Sequence, residues 1–198
     1  FPDYQSVENQ DIHSKYENFW KVELDNKKGL TVVEVINKIL EDEIKSMYIM
    51  GENPAMSDPD QNHAREALAK LDHLVVQDIF MTETAWHADV ILPSSAHAEK
   101  TGTFTNTNRQ VQLGRQAVPP PGDARQDWWI TQAIAQRMGL DWSYLHPRDV
   151  FNEMAQVMPS LKNITYERLE NENSVTYPCD DPNKPGNEII FNEKFPTA

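Results

Sequence analysis

Two uninterrupted apolar runs within residues 74–106 constrain the fold of this chain most strongly. Residues 74–76 (LVV) form the first run, which is soon closed by Asp78, and residues 90–92 (VIL) form the second, which is closed by Pro93. Short runs that are apolar at every position are typical of strands covered on both faces. The sequence therefore predicts buried strands of a parallel sheet in this part of the chain.

Helices are predicted on either side of these strands. Thr31 followed by Glu34 is a capping-box pattern, and apolar residues recur at helical spacing in residues 32–40. Residues 45–50 (KSMYIM) predict a strand, and a further helix is expected to begin near Pro59, since proline suits the first helical position. This alternation indicates an α/β fold with a mostly parallel sheet and right-handed crossovers.

The remainder of the chain carries less regular signals. Residues 101–116 are rich in Thr and Asn, which predicts an irregular loop and hairpin over the sheet edge, and residues 119–122 (PPPG) form a stiff linker. Helices are expected from Asp127 and over residues 148–158. Residues 159–198 lose this periodicity and are expected to form an irregular, extended tail that leans on the rest of a larger protein.

Composition excludes several classes of partner. The chain has 198 residues, of which 39% are hydrophobic, and these suffice for one substantial core. With 18 basic against 31 acidic residues, the net charge of -13 argues against a nucleic acid or an anionic membrane as partner. No apolar run approaches the roughly 18 residues of a membrane span, so direct membrane insertion is not expected.

Cysteine and histidine usage argues against a metal site in this chain. The single cysteine, Cys179, excludes an intramolecular disulfide framework and fits a reducing, cytoplasmic compartment. The six histidines show no HxxxH or HxH spacing, and no nucleophile motif such as GxSxG occurs, so no metal ligand or catalytic residue is assigned. The chain opens without an initiator Met or a signal peptide, and we interpret it as a piece of a larger polypeptide.

Candidate ligand contacts follow the predicted strands. Gly51 and Asn53 lie in the GEN turn, where a dinucleotide-binding fold carries its phosphate loop, although GENPAMSD lacks the GxGxxG pattern and an ordinary turn is the alternative. Gln77 and Asp78 lie at the exit of a buried strand, where open α/β sheets bind ligands. Asp78 can accept hydrogen bonds from ribose hydroxyls or a guanine edge, or it can cap the following TET segment.

Two further charged residues are candidates whose ordinary interpretation is structural. Lys100, in the sequence AEKTG, can place a positive charge on a phosphate or pterin oxygen, or it can be a surface lysine. Asp127 follows the proline linker and by itself indicates an N-cap or a first-turn acid that favours the helix dipole. The residues alone therefore leave the role of Lys100 open.

Four segments occur in order along the chain: YIMGENP, LVVQDIFMTETAWHADVILP, AEKTGTFTNTNRQVQ and QDWWITQAIAQRMG. Together they resemble the molybdopterin oxidoreductases of the dimethyl sulfoxide reductase family, and most of all the large (alpha) subunit of bacterial formate dehydrogenases. The resemblance covers residues 30–158, and the tail motif TYPCDDP...FNEKFPTA is similar to the same subunit. Four segments in the right order are more specific than any single motif.

The resemblance implies a cofactor and a place for this chain in the subunit. The family's large subunit binds bis(molybdopterin guanine dinucleotide) with molybdenum or tungsten, and two three-layer αβα domains of dinucleotide-fold topology each hold one dinucleotide. Residues 30–158 resemble the second of these domains, residues 1–29 form a lead-in, and residues 159–198 lead toward a further C-terminal domain. The family's 4Fe-4S cysteines and its catalytic Cys or selenocysteine have no counterpart here and are expected elsewhere in the parent protein.

The resemblance also implies roles for the candidate residues. The positions that match family cofactor contacts are Asn53, Gln77, Asp78, Lys100 and Asp127, and Gly51 would allow close backbone approach. The acids are expected to read guanine or ribose edges, and the lysine is expected to offset pyrophosphate or pterin charge. Because the other half of the cofactor shell is missing, the isolated chain is expected to hold no cofactor and to be inactive.

Three functions compete at this stage. The first is a formate dehydrogenase that oxidises formate to carbon dioxide and passes electrons to iron–sulfur and NAD-linked subunits, with this chain contacting the other domains of the same large subunit. The second is another enzyme of the family, such as a nitrate reductase. The third is a structural module that keeps the fold without the cofactor, as in large respiratory-complex subunits.

Overall fold

The computed structural model describes residues 1–189, which divide into two compact units. One unit combines Gly29–Glu99 with Val118–Leu140, and the other combines Phe1–Lys28, Lys100–Ala117 and the described residues from Asp141 onward. We name them the parallel-sheet unit and the hairpin unit after the strands that they contain. The FNEKFPTA motif at the end of the chain lies outside the described residues.

Seven α-helices and six strands make up the regular structure of the described residues. The helices are α1 (Gln10–Trp20), α2 (Val32–Leu40), α3 (Pro54–Ser57), α4 (Gln61–Lys70), α5 (Asp127–Arg137), α6 (Pro147–Val157) and α7 (Tyr166–Glu172). The strands are β1 (Ser46–Met50), β2 (His73–Asp78), β3 (Val90–Pro93), β4 (Gly102–Thr105), β5 (Gln110–Gly114) and β6 (Ser174–Thr176). None of these helices is long and apolar enough to cross a membrane.

The parallel-sheet unit is built on three strands that pair in parallel in the order β1-β2-β3. Tyr48 lies opposite Val75 across the first pair of strands, and Val76 lies opposite Ile91 across the second. Helices α2 and α4 precede β1 and β2, and a 3₁₀ turn at Ala85–His87 precedes β3. The predicted parallel sheet and its alternation with helices are thus confirmed. The prediction that residues 90–92 are buried was wrong, because β3 is the last strand of the three-stranded sheet and Val90 and Ile91 are 39% and 40% exposed.

Alternation along the strands places the core of this unit on one face of the sheet. Leu74 and Val76, in β2, are buried in one apolar cluster with Ile49 from β1 and Leu68 from α4. Successive side chains of a strand point to opposite faces, so Val75 and Gln77 lie on the face away from this cluster. The face away from the apolar cluster therefore carries the buried polar side chain of Gln77 near the carboxyl end of β2.

Local signals fix where the helices of this unit begin. Thr31 and Glu34 form the predicted capping box, each accepting a hydrogen bond from the other's backbone N–H at the start of α2. Helix α4 begins at Gln61, two residues after the expected Pro59, because the N-cap is Asp60, whose side chain accepts the N–H of His63. An Asp that satisfies an unpaired first-turn N–H determines the helix start more strongly than a nearby proline.

The hairpin unit contains a separate antiparallel sheet of strands β4, β5 and β6. The predicted hairpin is present as β4 and β5, but its third strand is β6 from the C-terminal region. Val111 in β5 is buried in one cluster with Phe151 in α6 and with Leu169 and Val175. The hairpin therefore contributes to a core that residues near the C-terminus complete.

The C-terminal region differs from the extended tail predicted for residues 159–198. It forms α7 and β6, and Ile164 and Cys179 are almost completely buried. The compact units also differ from the three predicted segments, because α6 belongs to the same unit as α1 and α7. The physical reason is that α6 and α7, together with the hairpin, bury the second core, and the hydroxyl of Tyr16 in α1 donates to the carbonyl of Val157 at the end of α6. Whether residues 30–158 are the functional domain stays a prediction.

One half-buried tyrosine makes the stability of the hairpin unit sensitive to alkaline pH. Tyr144 donates its hydroxyl hydrogen to Glu153, and burial followed by this hydrogen bond and the carboxylate charge raises the pKa of Tyr144 to about 12. The ordinary pKa of an unfolded tyrosine is 10.0. The unfolded state therefore loses its proton first, and the stabilisation present below pH 10 is lost as the pH rises toward 12.

We expect the free energy of unfolding to fall over this pH range, and Tyr144→Phe to reduce the fall, because phenylalanine has no proton to lose. The measurement is urea unfolding of both proteins from about pH 9 to about pH 11. Tyr16 and Tyr166 also have raised pKa values, mainly through burial, so part of the fall should persist in the variant. Identical pH profiles for the two proteins would contradict the assignment.

Candidate functional site at the carboxyl edge of the parallel sheet

The carboxyl ends of the parallel strands bring together most of the predicted site residues. Gly51 follows β1, Gln77 and Asp78 end β2, and Ser94 follows β3. Backbone hydrogen bonds hold these ends in register, since the N–H of Gly51 donates to the carbonyl of Gln77 at 2.9 Å and the N–H of Ser94 donates to that of Asp78 at 3.0 Å. This is the edge at which open α/β sheets bind their ligands.

The segment before α5 extends this edge by one more position. Arg125 forms a parallel bridge with Ser94, donates its backbone N–H to the carbonyl of Pro93 at 3.1 Å, and accepts from the N–H of Ser95 at 2.8 Å. Asp127 begins α5 two residues later. The same row of strand ends therefore positions Asp127 as well as Gly51 and Asp78.

Gly51 provides an open stretch of backbone. Its φ is +64°, which favours glycine over residues with a side chain, and nothing lies within 4 Å of the position that a Cβ would take. The residue is exposed. The backbone at Gly51 is therefore not covered by a side chain at this position.

The side chain of Asn53 is occupied by contacts within the fold. Its Nδ2 donates to Glu83 at 2.7 Å, and its Oδ1 accepts from both the backbone N–H and the hydroxyl of Thr84, at 3.1 and 2.7 Å. The hydrogen bond from Asn53 holds the pKa of Glu83 below its ordinary value. These bonds tie the GEN turn to the loop after β2, which is a structural role.

Gln77 and Asp127 are hydrogen-bonded to each other. Gln77 is completely buried, and its Nε2 donates to Oδ1 of Asp127 at 2.8 Å. Its Oε1 accepts the hydroxyl hydrogen of Tyr48. Asp127 is half-buried and is the first residue of α5, whose N-cap is Gln126. Asp127 is therefore a first-turn acid that is tied to the end of β2.

Asp78 has both a structural contact and an oxygen to spare. Its Oδ1 accepts the backbone N–H of Phe80 at 3.1 Å, which is the local turn contact expected of a capping aspartate. Within the described residues no hydrogen bond is made by its second carboxylate oxygen, and the residue is half-buried at the strand end. The capping alternative is thus present, and it leaves an acceptor for a ligand.

Lys100 belongs to the hairpin unit, whereas the other five candidates belong to the parallel-sheet unit. It is half-buried and is the first residue of the segment that leads into β4. The parallel-sheet unit brings together Gly51, Asn53, Gln77, Asp78 and Asp127.

Sequence reasoning missed two polar residues of this edge. Tyr48 lies in β1 and reaches Gln77, and the buried Thr84 links Asn53 to the backbone N–H of Ala55 at 3.0 Å. Alternation along β1 could have placed Tyr48 on the same face as Gln77, but no motif marks either residue. Among residues 1–189 no group of three or more His, Cys, Asp or Glu side chains could hold a metal ion.

Comparison with known proteins identifies the family to which this chain belongs. Residues 6–137 match the sequence model of the family described as molybdopterin oxidoreductase. The match covers more than half of the chain, and the chain belongs to the molybdopterin oxidoreductase family. Members of this family use a molybdenum or tungsten pterin cofactor.

Individual relatives show which members of the family this chain is similar to. The chain is 48% identical to the F420-dependent formate dehydrogenase subunit alpha of Methanocaldococcus jannaschii, over 100% of this chain and 29% of that protein. It is 46% identical to the putative formate dehydrogenase YrhE of Bacillus subtilis, over 87% of this chain and 18% of that protein. The probable oxidoreductase YjgC of the same organism is 42% identical, over 98% and 20%. The chain thus spans less than a third of the length of these relatives.

The fold is also found among solved structures. Acetylene hydratase from Pelobacter acetylenicus superposes with a TM-score of 0.62 over 89% of this chain and 25% of that protein, at 19% sequence identity. At this identity the similarity concerns the fold alone. It supports a mixed α/β architecture with a parallel three-stranded sheet and a small antiparallel sheet.

Proposed function

We propose that this chain is the part of a formate dehydrogenase large subunit that holds one molybdopterin guanine dinucleotide. The observation that carries the proposal is the row of polar residues at the carboxyl edge of the parallel sheet, in a chain of the molybdopterin oxidoreductase family. Relatives named as formate dehydrogenases support formate as the substrate. The bound cofactor would supply the oxidation of formate to carbon dioxide.

The described residues fit such a ligand in two respects. The open backbone at Gly51 leaves space for a bulky group close to the main chain. The second oxygen of Asp78 provides an acceptor, and a carboxylate that accepts hydrogen bonds suits the N–H groups of a guanine edge or the hydroxyls of a ribose. Asp127 would provide a second acceptor of the same kind, held by Gln77.

The remaining candidates have supporting roles in this proposal. Asn53 would hold the turn that presents the backbone at Gly51, through its bonds to Glu83 and Thr84. Lys100 would offset the negative charge of a pyrophosphate or pterin, because it would supply a local positive charge in a chain whose net charge is -13. The parallel sheet would be the centre of a three-layer αβα domain over residues 30–158, and the other half of the cofactor shell, the 4Fe-4S cluster and the catalytic ligand would come from other parts of the subunit.

The electron acceptor is a further part of the proposal. We propose that the enzyme works in the cytoplasm and passes electrons to iron–sulfur and NAD-linked subunits. One relative is named as F420-dependent, which makes F420 the alternative acceptor. The competing functions are a nitrate reductase-like enzyme and a cofactor-free structural module. The relatives named as putative formate dehydrogenases support formate oxidation over both.

The test is an assay of the full-length protein that contains this chain. We expect formate-dependent reduction of an artificial electron acceptor, and, with the partner subunits added, reduction of NAD or of F420 but not both. Nitrate should not be reduced. A protein that reduces nitrate and not formate would support the nitrate reductase alternative, and one that carries no molybdenum or tungsten would support the structural module.

A further inference from the structure

A completely buried amide connects two side chains at the sheet edge. Gln77 is 0% exposed, donates from Nε2 to Asp127, and accepts at Oε1 from the hydroxyl of Tyr48. Its backbone carbonyl accepts the N–H of Gly51. A buried amide with this set of partners is held in one orientation and has little freedom to turn toward a ligand.

The chemistry of the partners fixes the direction of the hydrogen bonds. A carboxylate can only accept, so Gln77 must present its NH₂ group to Asp127. The carbonyl oxygen of the amide then faces Tyr48, and Tyr48 must donate. The order is therefore Tyr48 to Gln77 to Asp127, with each donor pointing toward the carboxylate.

The strand register explains why Tyr48 can reach this amide. Tyr48 lies opposite Val75, and Gln77 is two residues further along β2, so both side chains are on the same face of the sheet and are diagonal neighbours. This is the face opposite the apolar cluster of Ile49, Leu74 and Val76. Asp127, at the start of α5, meets Gln77 on this face.

The environment of Tyr48 keeps it a donor. Burial and, to a smaller extent, the negative charge of Asp127 raise the pKa of Tyr48 above its ordinary value. Tyr48 is 43% exposed on the edge strand, and the hydrogen bond from its hydroxyl to Gln77 holds the tip of the side chain in place. Removal of that hydroxyl would leave the oxygen of a buried amide without this donor.

We propose that Tyr48 and Gln77 are positioning residues, which hold the carboxylate of Asp127 in the orientation that binds the cofactor's nucleotide. This inference rests on the proposed function, and it assigns Gln77 an indirect role in place of the direct contact expected from the sequence. Neither side chain touches the nucleotide. Asp127 does, and Tyr48 acts on it through the amide.

The test is a double-mutant cycle on the full-length protein, with Tyr48→Phe, Asp127→Asn and the double variant. The readout is the amount of guanine nucleotide that each protein retains after dialysis, measured at matched folded yield. We expect Tyr48→Phe to weaken retention about tenfold, the upper end for loss of one hydrogen bond. In the Asp127→Asn background the same change should have no further effect, because the residue through which it acts is already altered.

Tyr144→Phe is the matched control, because it also removes one tyrosine hydroxyl that donates a hydrogen bond, here to the carboxylate of Glu153 in the hairpin unit. It should leave retention unchanged. Urea unfolding of Tyr48→Phe separates loss of fold from loss of position, since a positioning role predicts a retention defect in a protein that stays folded.

Three outcomes would overturn the inference. Additive effects of Tyr48→Phe and Asp127→Asn would show that Tyr48 acts independently of Asp127. Full retention in Tyr48→Phe would show that the hydroxyl does not matter. A wild-type protein that holds no guanine nucleotide would refute the proposed function and this inference together, and it is distinguished from the other two outcomes by the wild-type measurement alone.

Discussion

Gly186→Ala should destabilise the hairpin unit more than any other single change considered for this chain. A Cβ at this position would lie 1.3 Å from the carbonyl oxygen of Thr176, which is backbone and cannot rotate away. The loop would have to move, and it would lose the hydrogen bond from the N–H of Asn187 to the carbonyl of Pro178 and the bonds from Arg109 to Asn187 and Glu188. We expect a loss of about 3 kcal/mol or more in the free energy of unfolding.

The measurement is urea unfolding of the 198-residue chain, with circular dichroism as the signal that monitors unfolding. Gly102→Ala is the control, because it adds the same methyl group within the same unit, where nothing lies within 4 Å and φ is not positive. Gly102→Ala should unfold close to wild type or slightly later, since glycine in a strand is unfavourable. An unfolding midpoint for Gly186→Ala equal to that of the control would contradict this packing of the loop.

Arg168→Met should be the second large loss of stability. The guanidinium of Arg168 donates to the carbonyl oxygens of Asn163 and Lys184, both at 2.9 Å, and to the sulfur of the buried Cys179 at 3.3 Å. It also pairs with Glu172, one turn along α7, and holds the pKa of that carboxyl below its ordinary value. The arginine side chain is only 13% exposed, so its removal would leave the part-buried carbonyl of Asn163 without this donor.

We expect Arg168→Met to cost about 2 kcal/mol, chiefly from the lost hydrogen bonds to the part-buried carbonyl of Asn163 and to the buried sulfur of Cys179, since an ion pair as exposed as that with Glu172 contributes little. Arg168→Lys should recover only part of the loss, because lysine keeps the charge but lacks the planar fork that reaches several acceptors. Lys184→Met, which removes an exposed ion pair with Asp181, is the matched control and should have almost no effect. Equal unfolding free energies for the two methionine variants would contradict the role of Arg168.

The sequence predicted the parallel sheet because its signals are local. The apolar run at residues 74–76 can only be satisfied by burial, and the capping box of Thr31 and Glu34 is complete within four consecutive residues. Each of these patterns carries its own physical cause. The predicted start of α4 at Pro59 was two residues too early. The N-cap is Asp60, whose side chain accepts the N–H of His63, so the helix begins at Gln61.

The C-terminal region was not predictable in the same way. Helix α7 has seven residues and β6 has three, and elements of this length are marginal on their own. They exist because Leu169 and Val175 pack on Val111 and Phe151, which come from distant parts of the chain. No local pattern in residues 159–198 reports these contacts.

The sequence predicted where the candidate residues lie in the fold, but not which residues they contact. Strand ends could be read from the sequence, and the structure brings five of the six candidates together at one edge. The partners of those residues are distant in sequence, because Asn53 is 31 residues from Thr84 and Tyr48 is 29 residues from Gln77. The hydrogen bonds that link the candidates to one another, to Tyr48 and to Thr84 therefore emerge only from the folded structure.

The most direct test of the central claim is the guanine nucleotide and metal content of the full-length protein, for wild type, Asp78→Ala and Asp127→Ala. Asp123→Ala, which removes an exposed acid in the turn before α5, is the control. The account predicts that wild type and the control carry molybdenum or tungsten with guanine nucleotide, and that both site variants lose them at matched folded yield. A wild-type protein that carries neither, or site variants that keep full occupancy and activity, would contradict it.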